Sequence, residues 1–273
     1  MADNGSVVLA GCGNMGFAML QGWLASEALK TEDAFVVEPN EGLRDRAAGL
    51  GVTAVADATE LPDDLVPAMI VLAVKPQVMD AVLPAYAGLA ERGAAIVSVA
   101  AGIRIDRFEK AFGDKTAVIR VMPNTPAAVG AGMMVLCANA ATSAGQLDFA
   151  RTLMSASGET AVIEDEALMD AVTAVSGSGP AYLFHMIEAL TDAAKKAGLP
   201  DDLAATLASQ TIYGAAVYWK KSGVEPGTLR EQVTSPNGTT AAALAVLMED
   251  DRLTQLMTEA VEAARKRSVE LAG

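Results

Sequence analysis

Three glycines near the start of the chain have a spacing that suits the binding of a dinucleotide. Gly11, Gly13 and Gly16 form a G-x-G-x-x-G pattern between the apolar run SVVLAG and a helical run. The first glycine permits a tight turn, the second lets the backbone approach a diphosphate, and the third lets helix and strand pack closely. Because a helix N-terminus favours anions, we predict a dinucleotide site at this turn.

An acidic residue follows the glycines at the distance expected for contact with a ribose. Glu38 ends the next β-branched run, AFVVE, and acidic residues about 20 positions after the glycines commonly accept hydrogen bonds from the ribose of NAD. This pattern favours NADH over NADPH. Asn40 and Arg44 follow closely, so an arrangement around a 2′-phosphate stays open. We expect Cys12, between the first two glycines, to fill space.

A second stretch, VTSPNGTTAAAL, combines a turn with hydroxyl groups ahead of an alanine-rich helical run. Ser235 lies in the predicted turn, Gly238 has no side chain, and Thr239 and Thr240 fall at the predicted helix start. Free backbone N–H groups and hydroxyls at the positive end of a helix dipole can bind a carboxylate without Arg or Lys. On spacing alone, an ordinary capped helix is the commoner arrangement, and both interpretations stay open at this point.

The composition limits the possible partners. The chain has 34 acidic and 20 basic residues and a formal net charge of −14, which argues against a nucleic-acid or anionic-membrane surface. It carries two cysteines without metal-site spacing and a single histidine, so we predict no metal site. Without a leader pattern or a long apolar run, a cytoplasmic protein is expected. Any anion site must therefore be local.

The first half of the chain predicts an α/β fold. Seven short apolar runs alternate with helical segments, as a buried and mostly parallel sheet with helices on both faces requires. We predict a Rossmann-like doubly wound sheet over residues 1–163. The seven runs are SVVLAG, AFVVE, AMIVLAV, AAIVSVA, TAVIRVM, MMVLCA and TAVIE.

From residue 164 the pattern changes to helical periodicity, which predicts an all-α domain over residues 164–273. In one segment, apolar residues recur every three or four positions at Leu183, Ile187, Leu190 and Ala194. The C-terminal segment has a similarly wide apolar stripe. Stripes of this width predict burial against another subunit, with self-packing inside one subunit as the alternative.

Six motifs together resemble the pyrroline-5-carboxylate reductase family, in order along nearly the whole chain. They are GCGNMG, AVKP, VSVAAG, MPNTPA, DAVTAVSGSGPAY and LREQVTSPNGTT. In one place the sequence departs from the family, which usually reads SPGGTT where this chain has Asn237. Because Asn tolerates left-handed backbone better than most residues, we expect the turn to persist.

The resemblance implies a set of site residues. The cofactor would be NADH or NADPH, and the substrate carboxylate would meet the turn through Ser235, Gly238, Thr239 and Thr240, with Glu166 nearby. It further implies dimers formed through the helical domain, which in the family often assemble into a ring of dimers. The implied cofactor residues are Gly11, Gly13, Asn14, Met15, Gly16, Ala73, Lys75, Pro76, Ala100 and Ala101, to which the residue pattern adds Glu38 and Asn40.

The reaction implied by the resemblance is hydride transfer to the C5 imine carbon of 1-pyrroline-5-carboxylate, which gives L-proline. A protonated imine is already electrophilic, so positioning is the main task and His185 is not needed. One alternative is a small hydroxyacid dehydrogenase that uses Lys195 or Lys196 as an acid. Another is a nucleotide-sensing subunit without catalysis, in which the second turn serves assembly.

Overall fold

The structure is a computed structural model that describes residues 5–272. The ends of the two predicted domains, residues 1–4 and 273, lie outside the described residues. The chain divides into two compact units. The first contains the chain up to Gly177 and the C-terminal segment from Ala264, and the second is Ser178–Ala263.

The first unit contains an eight-stranded sheet in the order β3-β2-β1-β4-β5-β6-β7-β8. All neighbouring strands are parallel except β6 and β7. The predicted doubly wound, mostly parallel sheet is therefore confirmed. The strands are β1 Val7–Ala10, β2 Ala34–Val37, β3 Thr53–Val55, β4 Met69–Leu72, β5 Ala95–Ser98, β6 Val118–Met122, β7 Gly132–Ala138 and β8 Gly158–Ile163.

Apolar cores cover both faces of this sheet. Alternate residues of each central strand enter different cores: Val7 and Leu9 of β1 lie in one, and Val8 and Ala10 lie in the other. Since successive side chains point to opposite faces, a strand with both faces covered must be apolar throughout. The packing helices are α1 Asn14–Ala25, α2 Glu41–Ala48, α3 Met79–Val82, α4 Ala87–Glu91, α5 Ile105–Phe112, α6 Ala144–Ser155 and α7 Met169–Val172.

The second unit is helical, as predicted, and its long helices α8 and α9 pack against each other, while a third long helix, α12, spans both units. A π-helical turn, Thr173–Gly177, precedes α8 in the first unit. The last turns of α12 belong to the first unit, where the Ser268 hydroxyl donates to Asp170 of α7. The helices are α8 Gly179–Lys196, α9 Asp201–Ser222, α10 Pro226–Gln232, α11 Thr239–Met248 and α12 Arg252–Ala272.

Two details differ from the sequence-based description. The edge strand β3 is absent from the seven predicted runs because it has three residues and none is fully buried, so it lacks a continuous apolar pattern. The predicted domain boundary at residue 163 stays a prediction, while the chain passes from the first compact unit to the second between Gly177 and Ser178 and returns between Ala263 and Ala264. Among the described residues, no helix is long and apolar enough to cross a membrane.

Candidate functional site

The glycine turn lies at the carboxyl edge of the sheet, where the strand order reverses between β1 and β4. The N–H of Gly11 donates to the Val37 carbonyl at 2.9 Å, and the N–H of Ala73 donates to the Ala10 carbonyl at 2.8 Å. The ends of β1, β2 and β4 are thereby tied together. Ligands of doubly wound sheets bind in the crevice at this kind of switch point.

Each glycine of the pattern has a distinct structural reason. Gly11 has φ +88°, a left-handed conformation that favours glycine. A Cβ on Gly16 would collide with the carbonyl oxygen of Gly11, so α1 approaches the turn only because that side chain is missing. A Cβ on Gly13 would meet no atom within 4 Å, which leaves open space beside the turn. This cradle fits a diphosphate.

The N-terminus of α1 offers hydrogen-bond donors to that space. The helix begins at Asn14, and no side chain among the described residues caps it. The first N–H groups of a helix have no partner within it, so those of Asn14, Met15 and Gly16 are available to an anion. Asn14 is exposed and Met15 is half-buried. The sequence prediction of a helix N-terminus at the glycine turn is borne out by this geometry.

Glu38 is oriented toward the glycine turn. Its side chain accepts the N–H of Cys12 at Oε2, 2.7 Å, and the N–H of Asn40 at Oε1, 2.9 Å. Only 7% of Glu38 is exposed. The side chain of Asn40 caps α2 by accepting the N–H of Leu43, and Arg44 donates to the carbonyls of Glu38 and Pro39. Backbone groups thus hold all three polar side chains.

The Cys12 thiol is buried and unreactive in character. Burial raises its pKa to about 11, the Arg46 guanidinium acts in the opposite direction, and the Glu38 carboxylate adds to the increase. A thiol is nucleophilic only as its thiolate, so this environment keeps Cys12 in the inert form near neutral pH. The packing supports the space-filling role expected from the sequence.

The remaining predicted cofactor residues follow β4 and β5 at the same edge. Ala73 lies under the glycine turn, where its carbonyl oxygen is 3.0 Å from the position of a Cβ on Gly11. Lys75 is exposed, its side chain has no hydrogen-bond or ion-pair partner among the described residues, and Pro76 begins a 3₁₀ turn. Ala100 is buried and Ala101 is exposed. The fold therefore brings the predicted cofactor residues to one edge.

The second unit contains the Ser-Pro-Asn-Gly turn. The N–H of Gly238 donates to the carbonyl of Ser235 at 3.0 Å, and Asn237 has φ +58°. Pro in the second position and a positive φ in the third are characteristic of a type II turn, whose third residue is usually Gly or Asn. The turn thus forms with Asn237 in place of a glycine.

Helix α11 begins directly after this turn and is uncapped. Gly238 is its N-cap residue, and no side chain among residues 5–272 accepts from its first N–H groups. A Cβ on Gly238 would collide with the Ser235 hydroxyl, so the missing side chain lets that hydroxyl lie against the helix start. Ser235 and Thr239 are exposed and Thr240 is half-buried. The ordinary capped helix is therefore not what forms here.

Glu166 is placed in the first unit and forms a largely buried ion pair. Its Oε1 accepts from Nη1 of Arg120 at 2.8 Å and from the N–H of Ile105 at 2.9 Å. The side chains are 5% exposed for Arg120 and 18% for Glu166. Arg120 was not singled out from the sequence, although a charge inside the apolar run TAVIRVM signals a buried residue that needs a partner.

The polar side chains considered for other chemistries lie on the surface of the second unit. Lys195 and the exposed Lys196 are the last residues of α8. Nζ of Lys195 lies 3.4 Å from Oδ2 of Asp201, the first residue of α9. His185 is exposed and pairs with Glu188 one turn along the helix. Cations in the last turn of a helix complement its dipole, which accounts for the two lysines without a catalytic role.

Comparisons with known proteins place the chain in a family. The family described as pyrroline-5-carboxylate reductase dimerisation matches residues 166–271, and that described as NADP oxidoreductase coenzyme F420-dependent matches residues 6–102. A pyrroline-5-carboxylate reductase of Synechocystis is 43% identical, covering 96% of this chain and 97% of the relative.

Solved structures agree with this placement. A pyrroline-5-carboxylate reductase from Coxiella burnetii has a TM-score of 0.93 and 32% identity, with 99% of each chain covered. The Plasmodium falciparum enzyme, solved with NADP bound, has a TM-score of 0.82 and 30% identity, again with 99% of each chain covered. This chain belongs to the pyrroline-5-carboxylate reductase family of nicotinamide-dependent oxidoreductases.

Proposed function

We propose that this protein reduces the ring imine of 1-pyrroline-5-carboxylate to L-proline, the last step of proline biosynthesis, with NADH as the preferred coenzyme. The observation that carries the proposal is the uncapped start of α11 behind the Ser-Pro-Asn-Gly turn, in a chain related over its length to pyrroline-5-carboxylate reductases. The substrate carboxylate is the ligand that this helix start suits.

The carboxylate site is built from neutral groups. The first N–H groups of α11 point out of the helix, the Ser235 hydroxyl lies beside them, and Thr239 and Thr240 add two more hydroxyls. No residue from Ser235 to Thr240 is charged. A carboxylate gains the helix dipole and several hydrogen bonds there, which supports binding in a chain whose net charge is −14.

The cofactor residues proposed from the sequence are those around the glycine turn. Gly13, Asn14 and Met15 would hold the diphosphate, and the backbone of Ala73, Lys75, Pro76, Ala100 and Ala101 would border the rest of the coenzyme. When bound, the reduced nicotinamide supplies the hydride for the imine carbon. The cradle beside Gly13, which a Cβ would enter, supports this assignment.

The contacts of Glu38 support NADH as the preferred coenzyme. Each of its oxygens accepts one backbone N–H, and each carboxylate oxygen can accept a second hydrogen bond, so ribose hydroxyls can still be bound. A 2′-phosphate would instead bring a second anion against a buried carboxylate. Arg44 is turned toward the carbonyls of Glu38 and Pro39.

The chemical step asks little of the side chains beyond positioning. Addition of hydride to C5 of a protonated imine yields the neutral secondary amine directly, so no residue has to deliver a proton in that step. The protein holds the carboxylate and orients the ring, which converts an encounter of two molecules into a reaction within one complex. Glu166 stays a predicted substrate residue, since its Oε2 makes no hydrogen bond among the described residues.

Self-association follows from the family, and we propose a dimer formed through the helical unit, with a ring of dimers as the larger assembly. Large apolar side chains stand exposed on that unit: Leu183 at 56%, Phe184 at 61% and Tyr213 at 65%. Large apolar side chains that are exposed in numbers on one unit are typical of a surface covered by another subunit. Light scattering should give at least twice the 28.0 kDa chain mass; a monomer at micromolar concentration would contradict it.

The activity is tested by following absorbance at 340 nm with NADH or NADPH and 1-pyrroline-5-carboxylate, with proline identified by mass spectrometry. We expect proline from both coenzymes and a higher kcat/KM with NADH. A preference for NADPH would keep the reaction and remove Glu38 as its ribose partner. Binding of coenzyme without turnover would contradict the proposed reaction.

A further inference from the structure

Arg46 of α2 lies behind the glycine turn and contacts it in two ways. Its Nη2 donates to the carbonyl of Cys12 at 3.0 Å and approaches the carbonyl of Gly13 at 3.5 Å. Its guanidinium carbon lies 3.9 Å from the centroid of the Phe17 ring, in the first turns of α1. Nε is buried and has no partner among the described residues. The guanidinium therefore fits between the turn and the helix that follows it.

Both backbone polar groups of Cys12 are fixed by charged side chains. The N–H donates to Glu38 at 2.7 Å, and the carbonyl accepts from Arg46. Hydrogen bonds to charged groups are about twice as strong as neutral ones, so they define the orientation of the turn. Glu38 directly follows β2 and Arg46 lies on α2, so two side chains from one short segment of the chain hold the backbone of Cys12.

The orientation of these carbonyls sets the direction of the N–H groups that face the cofactor. In a trans peptide the carbonyl and the following N–H point in opposite directions, and all described peptides are trans. With the Cys12 carbonyl turned toward Arg46, the N–H of Gly13 is directed away from it. The Gly13 carbonyl accepts the N–H of Phe17 within the first turn of α1. The N–H of Asn14 therefore points the opposite way, out of the helix start.

Arg46 also changes the local charge. The chain as a whole is acidic, with a net charge of −14, and Glu38 adds a carboxylate close to the turn. A guanidinium directly behind the turn offsets that carboxylate and contributes a positive potential at the helix start. A diphosphate is thereby favoured without direct contact between its oxygens and a side chain.

We propose that Arg46 is a positioning residue for the coenzyme, which fixes the Cys12 and Gly13 carbonyls so that the N–H groups of Gly13 and Asn14 face the diphosphate. The proposal rests on the proposed function, because it assumes that the glycine turn binds a nicotinamide dinucleotide. Its effect falls on coenzyme affinity and leaves the carboxylate turn of the second unit unchanged.

The test is a direct titration of coenzyme fluorescence, without turnover, for Arg46→Met and for the matched control Arg92→Met. We expect Arg46→Met to raise the dissociation constant of NADH about tenfold, because the N–H groups of Gly13 and Asn14 lose their fixed orientation and the positive charge behind the turn is removed. Arg92 also donates to backbone carbonyls, those of Gly88 and Asp63, but not to the glycine turn, so its variant should stay within about twofold. Equal losses in both variants, or no loss in Arg46→Met, would overturn the proposal.

Two further measurements keep the test decisive. Calorimetric titration with ADP and with adenosine should show the tenfold loss for ADP alone; an equal loss for both would place the effect at the adenosine and contradict the proposal. If Arg46→Met does not fold, Arg46→Lys replaces it. Lysine keeps the positive charge but lacks the planar guanidinium that reaches both carbonyls, so wild-type coenzyme affinity in this variant would overturn the proposal. A wild type that binds coenzyme without reducing the imine would refute the proposed function and leave this inference testable.

Discussion

The two helix starts proposed to bind anions both lack a side-chain cap, and they are built differently. The start of α1 follows a buried glycine turn that Glu38 and Arg46 hold through its backbone. The start of α11 follows an exposed turn held by one backbone hydrogen bond, with only hydroxyls beside it. An acidic chain can thus favour anions locally. The proposed diphosphate site is held by charged side chains of its own unit, whereas the proposed carboxylate site has no such support and its Ser235 and Thr239 are exposed.

The largest effect is expected from breaking the largely buried ion pair of Arg120 and Glu166, which tests whether that pair stabilises the first unit. Arg120→Met leaves the largely buried Glu166 without its partner, which should lower the free energy of unfolding by about 3 kcal/mol or more. Glu166→Gln should also destabilise, and urea unfolding measures both. If both variants unfolded at the wild-type urea concentration, the ion pair would not contribute to the stability of the first unit.

The glycine turn is tested by two alanine substitutions that differ in their steric surroundings. Gly16→Ala forces a Cβ against the Gly11 carbonyl, so we expect a loss of about 1–3 kcal/mol in stability together with weaker coenzyme binding. In Gly13→Ala the new Cβ meets no atom within 4 Å, and the φ of −64° is one that alanine adopts readily. It should keep the melting temperature and raise the coenzyme dissociation constant about tenfold, since the Cβ enters the diphosphate space. Equal melting temperatures for the two variants would contradict the account of the turn.

The carboxylate turn is tested through its hydroxyls. Ser235→Ala and Thr240→Ala should each raise the KM for 1-pyrroline-5-carboxylate about tenfold, because a charged hydrogen bond is lost, while coenzyme affinity stays unchanged. Thr234→Ala is the matched control, since its hydroxyl already donates to the Arg230 carbonyl at 2.6 Å. If all three variants had the wild-type KM, the hydroxyls would not belong to the site.

The smallest effect concerns the departure at Asn237. Its φ of +58° is costly for most L-residues, so Asn237→Ala should destabilise the turn by about 1 kcal/mol. Asn237→Gly should keep the KM and the unfolding free energy close to the wild type. Steady-state kinetics and urea unfolding compare the pair; an unaffected alanine variant would show that the positive φ is not required.

Much of the fold could be predicted because both faces of the central strands are covered. That burial makes each strand a continuous apolar run, and the seven runs predicted from the sequence all form strands. The glycine turn was predictable too, since its geometry depends on glycines only a few residues apart. The edge strand β3 could not be predicted in the same way, because one of its three residues is exposed and the others are half-buried.

The contacts that refine the two sites could not be predicted from the sequence. Arg46 meets Cys12 across 34 positions and Arg120 meets Glu166 across 46, so these pairs exist only once the sheet has formed. Nothing in the local pattern of α2 marks Arg46 as different from Arg44. The missing cap of α11 was equally hidden, because Ser- and Thr-rich helix starts are usually capped.

We propose that the uncapped start of α11 binds the substrate carboxylate. This proposal is tested by comparing kcat/KM for 1-pyrroline-5-carboxylate and for 1-pyrroline, which lacks the carboxylate, in the wild type and in Thr240→Ala. We predict that the wild type strongly prefers the carboxylated substrate and that Thr240→Ala reduces this preference about tenfold, entirely through the carboxylated substrate. An unchanged preference, or an equal loss for both substrates, would contradict the claim.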